Sequence, residues 1–323
     1  RDEFSGQAKV YLDANENPFN TNYNRYPDPM QWEVKGLLSK LKDIPKEQII
    51  LGNGSDEIID LLVRSFCNPG SDEIIILPPT YGMYQVYADI NDVKTVEVSL
   101  EEDFSLSAKK VLENTNDNTK IIFLCSPNNP SGNLLDIDAV KNVLQNFNGL
   151  VVLDEAYIDF SDMESWSSFL DIYPNLFVMQ TLSKAWGLAG IRLGMGFANQ
   201  NIIDLLNKVK PPYNISQLTQ EKAAEALHCA DQKDEKVATI LKERSLLQES
   251  LEKLTNVAKV FPSDANFLLV KIKSANSIYK QLIDQSIVVR DRSKVQLCDD
   301  CLRITIGTTE ENLILVEALK KIQ

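Results

Sequence analysis

Apolar residues along the chain follow two rhythms. From about residue 28 to residue 207, short and nearly unbroken apolar runs alternate with stretches whose apolar positions recur every three or four residues. The runs predict strands over 48–51, 73–77, 95–98, 120–125, 150–154, 176–181 and 195–198. Runs with no polar alternation suit strands covered on both faces. Helices are predicted between them, with readable starts. Asp28-Pro29 supplies an N-cap and a first-turn proline, and Ser55-Asp56-Glu57 is expected to cap the helix carrying Ile58, Ile59, Leu62 and Phe66. Alternating strand and helix with short links predicts an α/β fold on a mainly parallel sheet.

After Pro211-Pro212 the rhythm changes. Helical stretches over 216–230 and 233–254 precede strand candidates at 267–270, 287–290 and 302–306. Thr308-Thr-Glu-Glu311 has the form of a capping box opening a last helix. The expected division is a large α/β domain over 28–215 and a smaller α+β domain over 216–323, joined by the segment 1–27. No internal repeat or low-complexity tract interrupts it.

Composition narrows the class. The 323 residues are 44% hydrophobic and 24% charged, ordinary values for a globular chain able to bury a large core. A net charge of -13 argues against a nucleic-acid surface, so any anionic ligand must be held by local arginines and backbone donors. No apolar run approaches membrane-spanning length and no signal-peptide core is visible near the N-terminus, so a cytoplasmic location is expected. Five cysteines are an odd set, and Cys298-Asp-Asp-Cys301 is a single pair with no second CxxC, so neither a disulfide framework nor a metal site is expected. His228, the one histidine, lies in an Ala/Leu-rich helical stretch, which argues against histidine-dependent hydrolases.

Candidate chemistry gathers at the carboxyl ends of the predicted strands, where open α/β sheets place their sites. Gly52-Asn-Gly-Ser-Asp56 leads from a strand into a helix N-terminus, a natural anion site. Ser126-Pro-Asn-Asn-Pro-Ser-Gly132 is a turn-rich segment after the fourth strand. Asp154 ends the run Val151-Val-Leu-Asp154 and, if buried, needs a cation or a strong donor as partner, unless it caps the next turn. Lys184 follows another strand within Thr181-Leu-Ser-Lys-Ala-Trp-Gly. Arg192, the nearest basic residue in sequence, is expected to depress its pKa and favour a carbonyl-reactive amine.

Taken in order, these segments resemble the fold-type I pyridoxal-phosphate aminotransferases, most closely their histidinol-phosphate branch. The resemblance runs from Leu12-Asp-Ala-Asn-Glu-Asn-Pro18 through Pro78-Pro-Thr-Tyr-Gly-Met-Tyr84, Asp154-Glu-Ala-Tyr157 and Thr181 to Gly194, and ends in Cys301-Leu-Arg-Ile-Thr-Ile-Gly307. It implies that Lys184 forms the internal aldimine with pyridoxal 5'-phosphate, that Asp154 pairs with the pyridine nitrogen and that Tyr81 stacks on the ring. It places Asn129 and Tyr157 at the phenolic oxygen. Ser55, Asp56, Thr181, Ser183 and Arg192 would surround the cofactor phosphate, with Tyr26 reaching it from the other subunit of a homodimer.

The implied reaction is a reversible ping-pong transamination of histidinol phosphate with 2-oxoglutarate, giving imidazole-acetol phosphate and glutamate. Arg290 and Arg303 would receive the substrate phosphate or carboxylate, and Asn15, with Glu16 and Asn17, would close over the imidazole end. Two other enzymes of this scaffold, an aromatic aminotransferase and a threonine-phosphate decarboxylase, share the cofactor motifs. A non-catalytic effector-binding regulator would carry a DNA-binding module, and none is expected before Asp13.

Overall fold

The computed structural model describes residues 9–322; residues 1–8 of the expected N-terminal segment lie outside them. Seven strands form the first sheet: β1 Ile49–Asn53, β2 Glu73–Ile76, β3 Lys94–Glu97, β4 Thr119–Cys125, β5 Leu150–Asp154, β6 Leu176–Thr181 and β7 Leu193–Ala198. Their order is β1-β7-β6-β5-β4-β2-β3. The pairs from β6 to β3 are parallel, and β7 runs against both its neighbours. The sheet is thus mainly parallel, within an α/β architecture. β5, β6 and β7 are buried at every residue, as unbroken apolar runs require of strands covered on both faces.

A second, antiparallel sheet has the order β10-β11-β9-β8 and comprises β8 Val257–Val260, β9 Phe267–Ile272, β10 Arg290–Asp291 and β11 Cys301–Thr305. Its core includes Leu268, Val270, Leu302 and Ile304, covered by Leu282 and by Leu315 and Leu319 of the last helix, Thr309–Lys321. The capping box is present: Thr308 accepts from the Glu311 amide, and Glu311 accepts from the Thr308 amide at 2.8 Å.

Three local expectations change. The helix Ser55–Phe66 has Gly54, not Ser55, as its N-cap, because Gly54 takes φ 78, which a side chain would resist. Asp28 accepts from the amides of Met30 and Trp32, but the helix Trp32–Lys42 starts only after Gln31, held at φ 52. The strand expected over 287–290 is reduced to Arg290–Asp291, and β8 was not expected.

Candidate active site

Strand direction assembles the site. β1, β4, β5 and β6 all end at one edge of the first sheet. Because β7 is reversed, it starts there: Leu193 lies opposite Asn53 and Gly194 opposite Thr181. Arg192, one residue earlier, therefore arrives beside the Gly52-to-Asp56 turn. One cleft at this edge is lined by Ser55, Asp56, Tyr81, Asn129, Asp154, Tyr157, Thr181, Ser183, Lys184 and Arg192, together with Cys125, Ala156 and Ala189.

The helix Ser55–Phe66 points its N-terminus into one end of the cleft. No side chain caps it, so its first amides and the positive end of its dipole remain available to an anion. Glu57 turns back to accept from the Asn53 amide and is held by Asn214 Nδ2 at 2.7 Å, which fixes the turn. Arg192 pairs with Asp56 at 3.2 Å. A Cβ on Gly54 would lie 2.6 Å from Arg192 Nη2, so the close approach of guanidinium and backbone requires glycine. The Ser183 amide donates to Thr181 Oγ1 at 3.1 Å, orienting both hydroxyls.

Asp154 occupies the other end, in the interior. Tyr84 donates its hydroxyl proton to Asp154 Oδ2 at 2.6 Å, and the Ala156 amide donates to Oδ1 at 3.1 Å. Burial nevertheless raises the carboxyl pKa from 3.8 to about 6, with Tyr84, the Ala156 amide and the Lys184 charge pulling it back. A carboxylate so placed has its charge incompletely matched and favours a cationic partner. Tyr81 sits edge-on to Tyr84 at 5.6 Å between centroids, and its hydroxyl donates to Asp56 at 3.0 Å.

Lys184 Nζ lies 5.5 Å from the centroid of the Tyr157 ring. Burial lowers its pKa first, and the Arg303 charge adds to the effect. The Arg192 charge lowers it as expected, but Arg303, remote in sequence, acts more strongly, and Asp56, which pairs with Arg192, opposes the shift. Arg303 donates to Asn129 Oδ1 and lies 5.2 Å from the Phe267 ring centroid, joining the second sheet to the cleft.

Other expected residues lie elsewhere. Tyr26 stacks on Tyr213 at 4.4 Å in a separate cleft that also holds Asn15. Arg290 is exposed on β10, opposite Arg303. Asn17 accepts from the Phe19 amide at 2.9 Å and shapes a turn. Cys298 and Cys301 are buried free thiols whose pKa values burial raises to about 12 and about 11. Sequence reasoning assigned no role to Tyr84; its only signal was a tyrosine three residues after Tyr81, in the helix Met83–Ile90.

The sequence model of the family described as Aminotransferase class I and II matches residues 8–319. The histidinol-phosphate aminotransferase of Parabacteroides distasonis is 54% identical over 323 residues, covering 100% of this chain and 94% of that protein. The chain belongs to the histidinol-phosphate aminotransferase group of this family. A crystal structure of the histidinol-phosphate aminotransferase from Clostridium acetobutylicum superposes with a TM-score of 0.85 at 28% identity, covering 93% of this chain and 91% of that one. The Sinorhizobium meliloti histidinol-phosphate aminotransferase, solved in complex with pyridoxal-5'-phosphate, gives the same TM-score of 0.85 at 23% identity over 93% of this chain and 83% of that one, and so shares the fold.

The cleft of this aminotransferase fits pyridoxal phosphate on its own chemistry. The uncapped helix and Arg192 suit a phosphate. The buried Asp154 suits a protonated ring nitrogen, and the depressed pKa of Lys184 suits an amine that must meet an aldehyde.

Proposed function

We propose that the protein catalyses the reversible transfer of an amino group from histidinol phosphate to 2-oxoglutarate, forming imidazole-acetol phosphate and glutamate, with pyridoxal 5'-phosphate as cofactor. The observation that supports this reading is the meeting, in one cleft, of the buried Asp154 carboxylate, Lys184 with its lowered pKa and an arginine reaching in from the second sheet. When bound, the cofactor supplies the electron sink that lets a substrate carbon release its proton. The Asp154 carboxylate holds a proton on the ring nitrogen. Lys184 Nζ, its pKa lowered by burial and by Arg303, accepts the substrate carbon's proton as general base and returns one as general acid. Asn129, Tyr157 and Tyr81, which line the cleft, would hold the cofactor's phenolic oxygen and ring. Ser55, Asp56, Thr181, Ser183 and Arg192 hold the cofactor phosphate.

Arg303, with Arg290, receives the substrate anion, since a guanidinium fork grips phosphate or carboxylate with paired hydrogen bonds. On this reading 28–215 binds the cofactor and 216–323 brings the arginines, with 1–27 joining them. Tyr26 and Asn15 act in a homodimer, Tyr26 reaching the phosphate of the partner's cofactor and Asn15 closing over the imidazole end. The location is cytoplasmic. Among the described residues no helix is long and apolar enough to cross a membrane.

The test is a half-reaction followed by absorbance of the loaded protein, with histidinol phosphate and phenylalanine as donors. Histidinol phosphate should convert the cofactor's band faster at equal concentration. Faster conversion by phenylalanine would favour an aromatic aminotransferase instead.

A further inference from the structure

The second sheet sets three arginines on one face. Arg290 lies directly opposite Arg303, and the ladder continues where the Arg292 amide donates to the Cys301 carbonyl at 2.9 Å. Alternate residues of a strand share a face, and so do residues paired across a ladder. Arg290, Arg292 and Arg303 therefore stand on the same side. Asp291, between the first two, is engaged by Asn276 Nδ2 at 2.9 Å and the Ser293 amide at 2.8 Å. Among the described residues no carboxylate forms an ion pair with any of the three arginines.

Like charges across a ladder repel, so such a face needs a compensating anion or full exposure to water. Arg290 is exposed, but Arg292 and Arg303 are half-buried. The Nε of each is buried with no hydrogen-bond partner, a costly state for a cationic donor. Burial holds both guanidiniums below the ordinary arginine range; Arg290 adds to this at Arg292, and both neighbours add to it at Arg303. Arg303 already reaches Asn129 in the cleft, and Tyr157 feels the charge of both Arg303 and Arg292.

We infer that Arg292 is a substrate-phosphate ligand beside Arg303 and the residue that separates a phosphate from a carboxylate. The inference rests on the histidinol-phosphate reading. A carboxylate brings one charge and two oxygens, which the fork of Arg303 can satisfy. A phosphate monoester brings close to two charges and three acceptor oxygens, enough to engage a second guanidinium. Arg292 thus favours the half-reaction of the phosphorylated substrate and adds little to that of glutamate.

The test uses the cofactor-loaded enzyme and its R292Q and R292K variants. Each is assayed in single turnover with histidinol phosphate, histidinol and glutamate, and with inorganic phosphate as competitor in the glutamate half-reaction. R292Q should lower kcat/KM for histidinol phosphate by about ten- to a hundredfold, mainly through KM, and weaken inorganic phosphate competition by about tenfold. Histidinol and glutamate should react as in the wild type, and R292K should recover part of the loss. Equal losses with all three substrates, or unchanged phosphate competition, would overturn the role of Arg292 and mark it as structural. A wild type that reacts equally with histidinol and histidinol phosphate would instead overturn the substrate reading, and this inference with it.

Discussion

The two sheets hold their charges in opposite ways. At the edge of the large sheet, charged groups are locked to neighbours: Asp154 by Tyr84 and the Ala156 amide, Asp56 by Arg192 and Tyr81, Glu57 by Asn53 and Asn214. In the small sheet, Arg292 and Arg303 keep buried donors without partners. The first arrangement suits a resident group that must be held in one geometry. The second suits exchangeable anions, because donors left open favour whichever anion enters. On the proposed reading the cofactor end is preorganised, and the substrate end is completed by its ligand.

This contrast can be broken at several points. The largest effect belongs to Lys184→Ala. It removes the amine proposed to carry the proton, and turnover should fall by about 10,000-fold or more while the fold and non-covalent cofactor binding persist. Steady-state assays and circular dichroism check this, and substantial residual turnover would contradict the role of Lys184.

Asp154→Asn keeps the shape and deletes the charge, and should cost about 100- to 1,000-fold in turnover. It also tests the electrostatics in the cofactor-free protein. The folded carboxyl, at about 6 against 3.8, binds its proton more tightly than the unfolded chain does. Folding stability of the wild type should therefore fall as pH rises between about 4 and about 6. The loss is at most about 3 kcal/mol. Asp154→Asn has no such carboxyl to ionise, so its stability relative to the wild type should rise across the same window. Denaturation curves at several pH values decide it, and parallel pH dependences would refute the assigned burial cost.

A smaller effect is expected from Tyr84→Phe, which removes one hydrogen bond to the carboxylate without opening a large cavity. Turnover should drop by about tenfold or less, and the acid limb of the pH profile should move upward because the carboxyl loses a donor. An unmoved acid limb would leave Tyr84 a packing residue only.

Much of the large-sheet site was legible in the sequence. Apolar runs ending in Cys125, Asp154 and Thr181 located the strand ends, and the residues just beyond them line the cleft. The rest depended on geometry that a linear pattern does not carry. That Arg303 presses on Lys184 more than Arg192 follows from the docking of the two sheets, across 119 positions in the numbering (303 − 184). Arg292 was missed because the expected strand ended at 290, and its face is defined only by pairing with β11. β8 was missed because it is a four-residue edge strand with two exposed central positions, too short and wet to show an apolar run. Ser55 looked like a cap because serine often is one, but the adjacent glycine took the position that needed a positive φ.

The central claim is that the open arginines of the small sheet select a phosphate while the large sheet performs the same chemistry on any amine that enters. The most direct measurement compares single-turnover rates of histidinol phosphate and histidinol in the wild type and in Arg303→Ala. The account predicts that histidinol is the poorer substrate of the wild type. It also predicts that Arg303→Ala weakens transition-state binding of histidinol phosphate by about 2–5 kcal/mol, with a much smaller loss for histidinol. Equal reactivity of the two substrates in the wild type, or equal losses in the variant, would contradict it.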